Sequence, residues 1–591
     1  MTRFVTQGLP QGDVCSPTLF NVYTTVLHTI KVEGVVLVQY ADDFAIIIEG
    51  GSREQVAARG QIFLNEFKRK TEELNLTMNP QKTKVMLFKN SPKELEIRID
   101  GNKLENVRIH RYLGLIVDRS LGYGAHLRDL VQRLAERQNM IRVISGTKYG
   151  AHPQTLGMAY NALFRSCMDY ASTIYGSACK SNLGKIDVLN NQCLRKVTGC
   201  TKTTPINTLY AIAGQLPLEF RRLLNVGKQL AKHYHRNSVV KQQLDSAMEQ
   251  DQNREKDRCS FIERVALDHA TILQATSTSL VCKNQWEDVT IETELPDGPW
   301  RKKTTSERVL KQLTLSLIHG KYNSRRIIYT DASKNWNYCG IGVYDSTTNF
   351  RISLKLERNV CIMSAELEAI WVALQYICEY GITNAVIMSD SKSGLEFIKS
   401  NVQDHYRDEI VERLLTMASK TQTTLQWVPG HIGAAGNEAA DQLAKAALEV
   451  QEQQYICDNK VFVHDVENYF RRVAVEDAQQ WYLEYAAIDG KGRKFFQLQN
   501  TIPSKPWYTG KQLTNSETRT LNRLLSGHDY SAYWLAKMKL QSNGVCETCS
   551  VVENAEHIIF SCTKYAQSRA KYGLSNYGNI YQVFSENNNL H

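Results

Sequence analysis

Four carboxylates and one histidine follow one another in a set order across the middle of the chain. Asp331 stands in IIYTDAS, Glu366 in SAELEAI, Asp390 in VIMSDS, and His431 and Asp441 in WVPGHIGAAGNEAADQLA. Each acid falls where a strand pattern ends or on a helix flank, where short side chains from distant segments can converge. Converging carboxylates repel one another unless cations sit between them, and an all-oxygen donor set suits Mg²⁺ or Mn²⁺. Two such ions about 3.5–4 Å apart can activate a water and stabilise a leaving oxygen, the chemistry of phosphodiester cleavage. A lone TDAS or SDS is usually a helix cap or a surface turn. The ordered set, with matching elements between its members, carries the metal-site reading.

The elements that must position these groups are legible as periodicities. RRIIYTDAS is an apolar strand, GIGVYD a second after the NWNYCG turn, and the alternating FRISLKL a third. SAELEAIWVALQYI repeats apolar residues at helical spacing (Leu367, Ile370, Val372, Leu374, Ile377), which predicts one buried face with Glu366 at its edge. AVIMSDSKSGLEFIKS predicts a strand, an acid at its end, then a helix. TTLQWVPGH predicts a strand entering a Gly-His turn, and NEAADQLAKAAL an alanine-rich helix. The expected order is three strands, helix, strand, helix, strand, helix.

That order, with these motifs, resembles the ribonuclease H fold over residues 324–450. The resemblance implies that Asp331, Glu366, Asp390 and Asp441 hold the metal ions and that His431 assists the water or product release as a proton shuttle. It gives Asn437 and Glu438 supporting roles, Asn437 in contact with nucleic acid. It also implies the RNA strand of an RNA–DNA hybrid as substrate, recognised through 2′-hydroxyls in a wide minor groove.

A second constellation lies near the start. VVLVQYADDFAIII predicts a hairpin whose apolar strands force Asp42 and Asp43 out at its tip, a usual way to present acids to Mg²⁺. With LPQGDVCSPTLFN before it and NPQKTK and YLG after it, this stretch resembles the reverse transcriptase palm of non-LTR retrotransposons. The resemblance implies a partial polymerase Mg²⁺ site at Asp42 and Asp43, with Gln11, Gly12 and Lys82 contacting template or nucleotide. Such palms use a third carboxylate on an earlier strand. The chain begins almost at the QG motif, so a polymerase truncated at its N-terminus, without useful DNA synthesis by this chain alone, is expected.

From residue 121 to 235 the pattern is helical, with Leu127, Leu130, Val131, Leu134, Ile141 and Ile144 on one expected face, as in a thumb-like bundle or a plain helical core. Residues 236–323 are polar and weakly periodic and read as a connector of helix and loop. The tail, 451–591, is mostly helical and carries CETCSVVENAEHIIFSC. Cys546, Cys549, His557 and Cys562 give four soft ligands, enough to close a tetrahedral Zn²⁺ site. Many non-LTR elements place a similar motif after the polymerase, which implies a small nucleic-acid-binding module.

At 591 residues the chain is too long for one core, and its net charge of +10 favours a polyanionic partner. Fourteen cysteines without a regular framework, and no leader pattern, point to a reducing compartment, nucleus or cytoplasm. No stretch reaches 18 uninterrupted apolar residues, so no membrane partner is expected. The fold class expected is multidomain, α+β and α/β. It comprises a partial palm (1–120), a helical region (121–235), a connector (236–323), a three-layer ribonuclease H-like domain (324–450) and a helical zinc-bearing tail. Two rivals remain open: a non-catalytic nucleic-acid-binding remnant, and a polymerase that works once fingers and a first catalytic acid are supplied. Oligomeric state has no signature in the sequence.

Overall fold

The computed structural model describes residues 8–10, 12–88, 94–146, 149–250, 259–282, 286, 288–298, 300, 305–449, 454–455, 460–488 and 491–586. The chain divides into two compact units, Met1–Ala171 with Tyr175–Val197, and Ser172–Ile174 with Thr198–His591.

The larger unit contains a seven-stranded sheet. Its central part is β1 (Arg326–Lys334), β2 (Cys339–Asp345) and β3 (Phe350–Leu356), then α1 (Ile362–Glu379), β4 (Ala385–Ser389), α2 (Lys392–Ser400), α3 (Glu409–Lys420), β5 (Thr424–Trp427) and α4 (Ala435–Glu449). Across the sheet the strands run β5, β4, β1, β2, β3, with the short pairs Ile291–Glu292 beside β5 and Gln454–Tyr455 beside β3 at the two edges. β1 pairs antiparallel with β2 and parallel with β4, and β4 pairs parallel with β5. Every residue of β1 from Ile327 to Ala332 is buried, so helices cover both of its faces. One helix exceeds the expected order: α3, whose EIVERLLTMASK buries Ile410, Val411, Leu414, Leu415 and Ala418 on one side.

Two glycines set how closely α4 approaches. A Cβ on Gly340 or Gly342 of β2 would collide with the carbonyl oxygens of Ala444 and Ala440. The buried face of α4 is correspondingly small, Ala440, Ala444 and Ala447. Asp331 lies opposite Gly342 in the β1–β2 register. Residues directly opposite in an antiparallel pair share a face, so Asp331 faces α4.

The stretch read as a connector packs into this same core. Leu273, Val289, Ile291, Leu295, Leu310 and Leu317 join the buried cluster of the sheet and its helices. Ser279–Val281 pairs with Tyr406–Asp408, and Ile291–Glu292 extends the sheet beside β5. The tail helix Val463–Ile488 lies against Leu218–His235, where glycine at 227 leaves room for the Phe470 ring. The region expected as one helical bundle over 121–235 is thus shared: Gly124–Ile144 belongs to the smaller unit and Leu218–His235 to the larger.

In the smaller unit, Val35–Tyr40 and Asp43–Ile48 form the expected hairpin, with Tyr40 opposite Asp43. Val35, Leu37, Phe44 and Ile46 pack on Leu27, Phe63 and Phe67, the last two from helix Arg53–Glu73. Helix Gly124–Ile144 buries Leu127, Leu130, Leu134 and Ile141. Val131 is only half-buried and Ile144 is exposed, so the expected face is narrower than the periodicity implied. Among the described residues, no helix is long and apolar enough to cross a membrane.

Candidate active site and zinc cluster

Asp331, Glu366 and Asp390 are brought together by three separate elements. The parallel register of β1 and β4 pairs Thr330 with Ser389, which sets Asp331 level with Asp390 one residue past the end of β4. Glu366 comes from the start of α1, a helix capped by the Cys361 side chain and packed on β1 and β2. One carboxylate oxygen from each of the three lies within 4.8 Å of the others. Asp331 and Glu366 are each 5% exposed.

The energetics of this cluster are those of crowded, desolvated charge. Burial, followed by the charges of Asp390 and Asp441, pushes the Asp331 carboxyl up to about 7. Burial first, then Asp331 and Asp390, raises Glu366 well above the ordinary carboxyl range. Glu366 Oε2 is buried without a hydrogen-bond partner. Three crowded carboxylates with an unsatisfied buried oxygen are a donor set that a divalent, oxygen-seeking cation would satisfy, so the residues fit Mg²⁺ or Mn²⁺.

Asp441, expected as an equal fourth member, is outside this tight group. It sits on α4, its side chain 18% exposed, and accepts from Lys445 Nζ at 2.7 Å. Its charge still acts on Asp331. Lys445, one helical turn on, draws the carboxylate aside, a neighbour that motif reading overlooked although its i,i+4 spacing announces it. His431 is exposed in the loop after β5 with φ +58. The preceding Gly430 lies so close to Asp390 that a Cβ would overlap Oδ2, so this loop packs on the acid through a position only glycine fits. Asn437 is buried, its Oδ1 without a hydrogen-bond partner, and Glu438 is exposed.

In the smaller unit Asp42 and Asp43 are both exposed at the hairpin tip, beside Ala41 at φ +51. Among the described residues no third histidine, cysteine or acid joins them within metal-binding reach. Gly12 is exposed at φ +93, and Lys82 is exposed with its backbone N–H donating to Asn79 Oδ1 at 3.1 Å. Gln11 lies outside the described residues.

Cys546, Cys549, His557 and Cys562 also converge, with one ligand atom of each within 4.8 Å of the others. The Cys562 sulfur lies 3.8 Å from that of Cys546 and 3.9 Å from that of Cys549. A tetrahedron of Zn–S bonds near 2.3 Å puts its sulfurs about 3.8 Å apart. His557 Nε2 is buried without a hydrogen-bond partner. The cluster fits a zinc site.

Residues 323–449 match the RNase H family, and residues 1–117 match the family described as reverse transcriptase (RNA-dependent DNA polymerase). The chain joins a reverse transcriptase segment to an RNase H domain. An RNA-directed DNA polymerase from mobile element jockey of Drosophila funebris is 28% identical over 204 residues, 33% of this chain and 22% of that protein. A probable RNA-directed DNA polymerase from transposon BS of Drosophila melanogaster is 29% identical over 249 residues, 40% of this chain and 26% of that one. The chain therefore spans about a quarter of the length of these relatives. Among solved structures, RNase H1 of the halophilic archaeon Halobacterium salinarum overlaps 21% of this chain and 98% of its own, at 19% identity and a TM-score of 0.17. The pairing of the two family matches, with those relatives, resembles that of retrotransposon proteins that join a reverse transcriptase to an RNase H domain.

Proposed function

We propose that the RNase H domain hydrolyses the RNA strand of RNA–DNA hybrids, with Asp331, Glu366, Asp390 and Asp441 as metal ligands. The observation that carries this reading is the meeting of three carboxylates within 4.8 Å, one with a buried oxygen lacking a partner. Mg²⁺ or Mn²⁺ held by these residues would supply an activated water and neutralise charge on the leaving oxygen. The chain's own residues do the positioning. Asp331 and Asp390 are fixed by strand register, and Glu366 by a capped helix. Asp441, paired with Lys445 at the rim, would be the fourth ligand. His431, exposed in the loop whose Gly430 packs on Asp390, would exchange a proton with solvent or product through its imidazole. Asn437, buried on the same helix as Asp441, supports that helix from its packed face and does not itself reach the hybrid.

The remaining assignments belong to the same proposal. Residues 1–120 would belong to a polymerase palm in which Asp42 and Asp43 contribute two carboxylates, and Gly12 and Lys82 border the template or nucleotide. With only two acids joined there among the described residues, no primer extension by this chain alone is expected. The Cys546, Cys549, His557 and Cys562 module, closed by Zn²⁺, is structural and contacts nucleic acid. The test is a labelled hybrid duplex incubated with the purified chain and Mg²⁺. RNA cut by the parent chain and not by Asp331→Asn supports the proposal; uncut RNA, or cutting that survives the substitution, defeats it.

A further inference from the structure

Another set of donors converges away from both sites already described. Cys361 is the N-cap of α1, and His464 and Asp465 lie in the first turn of the tail helix Val463–Ile488. About a hundred residues of chain separate the two elements, so no local motif announces the group. The Cys361 sulfur is 3.0 Å from His464 Nε2, and Asp465 Oδ2 is 3.6 Å from the same nitrogen. One ligand atom of each residue lies within 4.8 Å of the others. Asp465 Oδ1 accepts the Cys361 backbone N–H at 2.7 Å, which locks the two helix ends together. Asp465 also borders a cleft of about 640 Å³ with Val360 and Tyr469, and the partly exposed His464 side chain makes the group reachable from solvent.

Two chemistries use a cysteine, a histidine and an acid. A nucleophile relay needs the thiol on one imidazole nitrogen and the carboxylate on the other. Here both face Nε2, and no relay can be drawn. Convergence on a single nitrogen is what a shared cation requires. Zn–S near 2.3 Å and Zn–N near 2.0–2.1 Å place tetrahedral S···N and N···O edges at roughly 3.3–3.6 Å. The observed separations are within a small rotamer adjustment of that. A sulfur and an imidazole beside one carboxylate favour Zn²⁺ over Mg²⁺. Ser364 Oγ lies 3.3 Å from the sulfur and 3.2 Å from Nε2, and donates to Asp465 Oδ2 at 2.6 Å, so it stands where a fourth ligand or its water would be.

We propose that Cys361, His464 and Asp465 bind a Zn²⁺-class cation that clamps the start of α1 to the start of the tail helix. Glu366 is five residues from Cys361 on the same helix, so an occupied clamp holds that carboxylate at a fixed depth beside Asp331. The clamp is a positioning device and touches no reacting atom.

The test loads the full chain with Zn²⁺ in excess Mg²⁺, removes free metal, and measures zinc per chain. His464→Ala and Cys361→Ser are each expected to lose one equivalent relative to the parent. Cys549→Ser, in the C-terminal cluster, loses a different one, so a double variant loses both. In parallel, alkylation of Cys361 by iodoacetamide is mapped by mass spectrometry. Zn²⁺ protects Cys361 in the parent and in Cys549→Ser, and not in His464→Ala. The His464 side chain is 38% exposed, so its removal should leave the circular dichroism spectrum unchanged. Unchanged zinc content in both His464→Ala and Cys361→Ser, or Cys361 alkylated equally fast with and without Zn²⁺ in the parent, overturns the proposal.

Discussion

Two pairs of acids in this chain invite the same reading and end in different places. Asp42 and Asp43 are neighbours in sequence, exposed on a hairpin tip with no third donor among the described residues. Asp331 and Asp390 are 59 positions apart, yet strand register sets them side by side, and a helix delivers Glu366 to the same cluster. Adjacency along the chain presents carboxylates to water, where each keeps its own hydration. Convergence through a sheet strips that water away and leaves the charges repelling one another, a cost that a bound cation offsets. A metal centre is a property of the fold around the acids.

The comparison is broken most sharply by removing charge from each pair. Asp331→Asn or Asp390→Asn is expected to lower Mg²⁺-dependent hybrid cleavage by roughly 10²–10⁴-fold, since several kcal/mol of charge stabilisation depend on that cluster. Asp42→Asn with Asp43→Asn should leave cleavage unchanged. Equal losses in both sets, read from initial rates on a labelled hybrid, would erase the distinction.

A steric version follows from the close approach of α4. Gly342→Val pushes a side chain into the Ala440 carbonyl and lifts the helix that carries Asp441. A destabilisation of about 1–3 kcal/mol in urea unfolding is expected, typical of overpacking. Cleavage should fall with it. Gly101→Val, at a turn with open space around it, should not affect cleavage, although its φ of +75 costs some stability.

A third prediction concerns pH without metal. The Asp331 carboxyl titrates near 7 in the folded chain and near 3.9 when unfolded. The folded state therefore holds the proton more tightly, and its contribution to stability is present at low pH and lost as pH climbs from about 4 to about 7. In EDTA, the melting temperature of the parent should decline over that window more than that of Asp331→Asn. The corresponding difference in unfolding free energy should be at most about 4 kcal/mol. Identical pH profiles would mean the acids are not strained. The smallest effect is at the rim. Lys445→Ala frees Asp441 from an ion pair whose lysine side is 58% exposed, and a change in cleavage of only a few-fold is expected.

What the sequence made legible follows from the range of each interaction. The apolar strand pattern leading to Asp331, helical spacing around Glu366 and the apolar run before Asp390 are local, and all three led to elements that the structure contains. The Cys546–Cys562 array is equally local. Contacts between distant segments were not legible. Leu310 and Leu317 lie in a polar stretch whose periodicity was diluted, and their buried faces are evident only once Ile291–Glu292 joins the sheet. Helix α3 was passed over between two stronger signals. The closeness of Gly340 and Gly342 to Ala440 and Ala444 depends on a partner a hundred positions away. So does the meeting of Cys361 with His464. Asp441 shows the converse: its motif reads as a full partner in the acid set, while Lys445 one turn along holds it apart.

The most direct test of the convergent acid cluster is the thermal stability of Glu366→Gln against the parent at pH 8, each measured in EDTA and in Mg²⁺. The account predicts that the variant melts higher than the parent in EDTA, because a buried, repelled carboxylate has become neutral, and that it loses most of the stabilisation Mg²⁺ gives the parent. A variant that melts no higher in EDTA and gains as much from Mg²⁺ as the parent would contradict it.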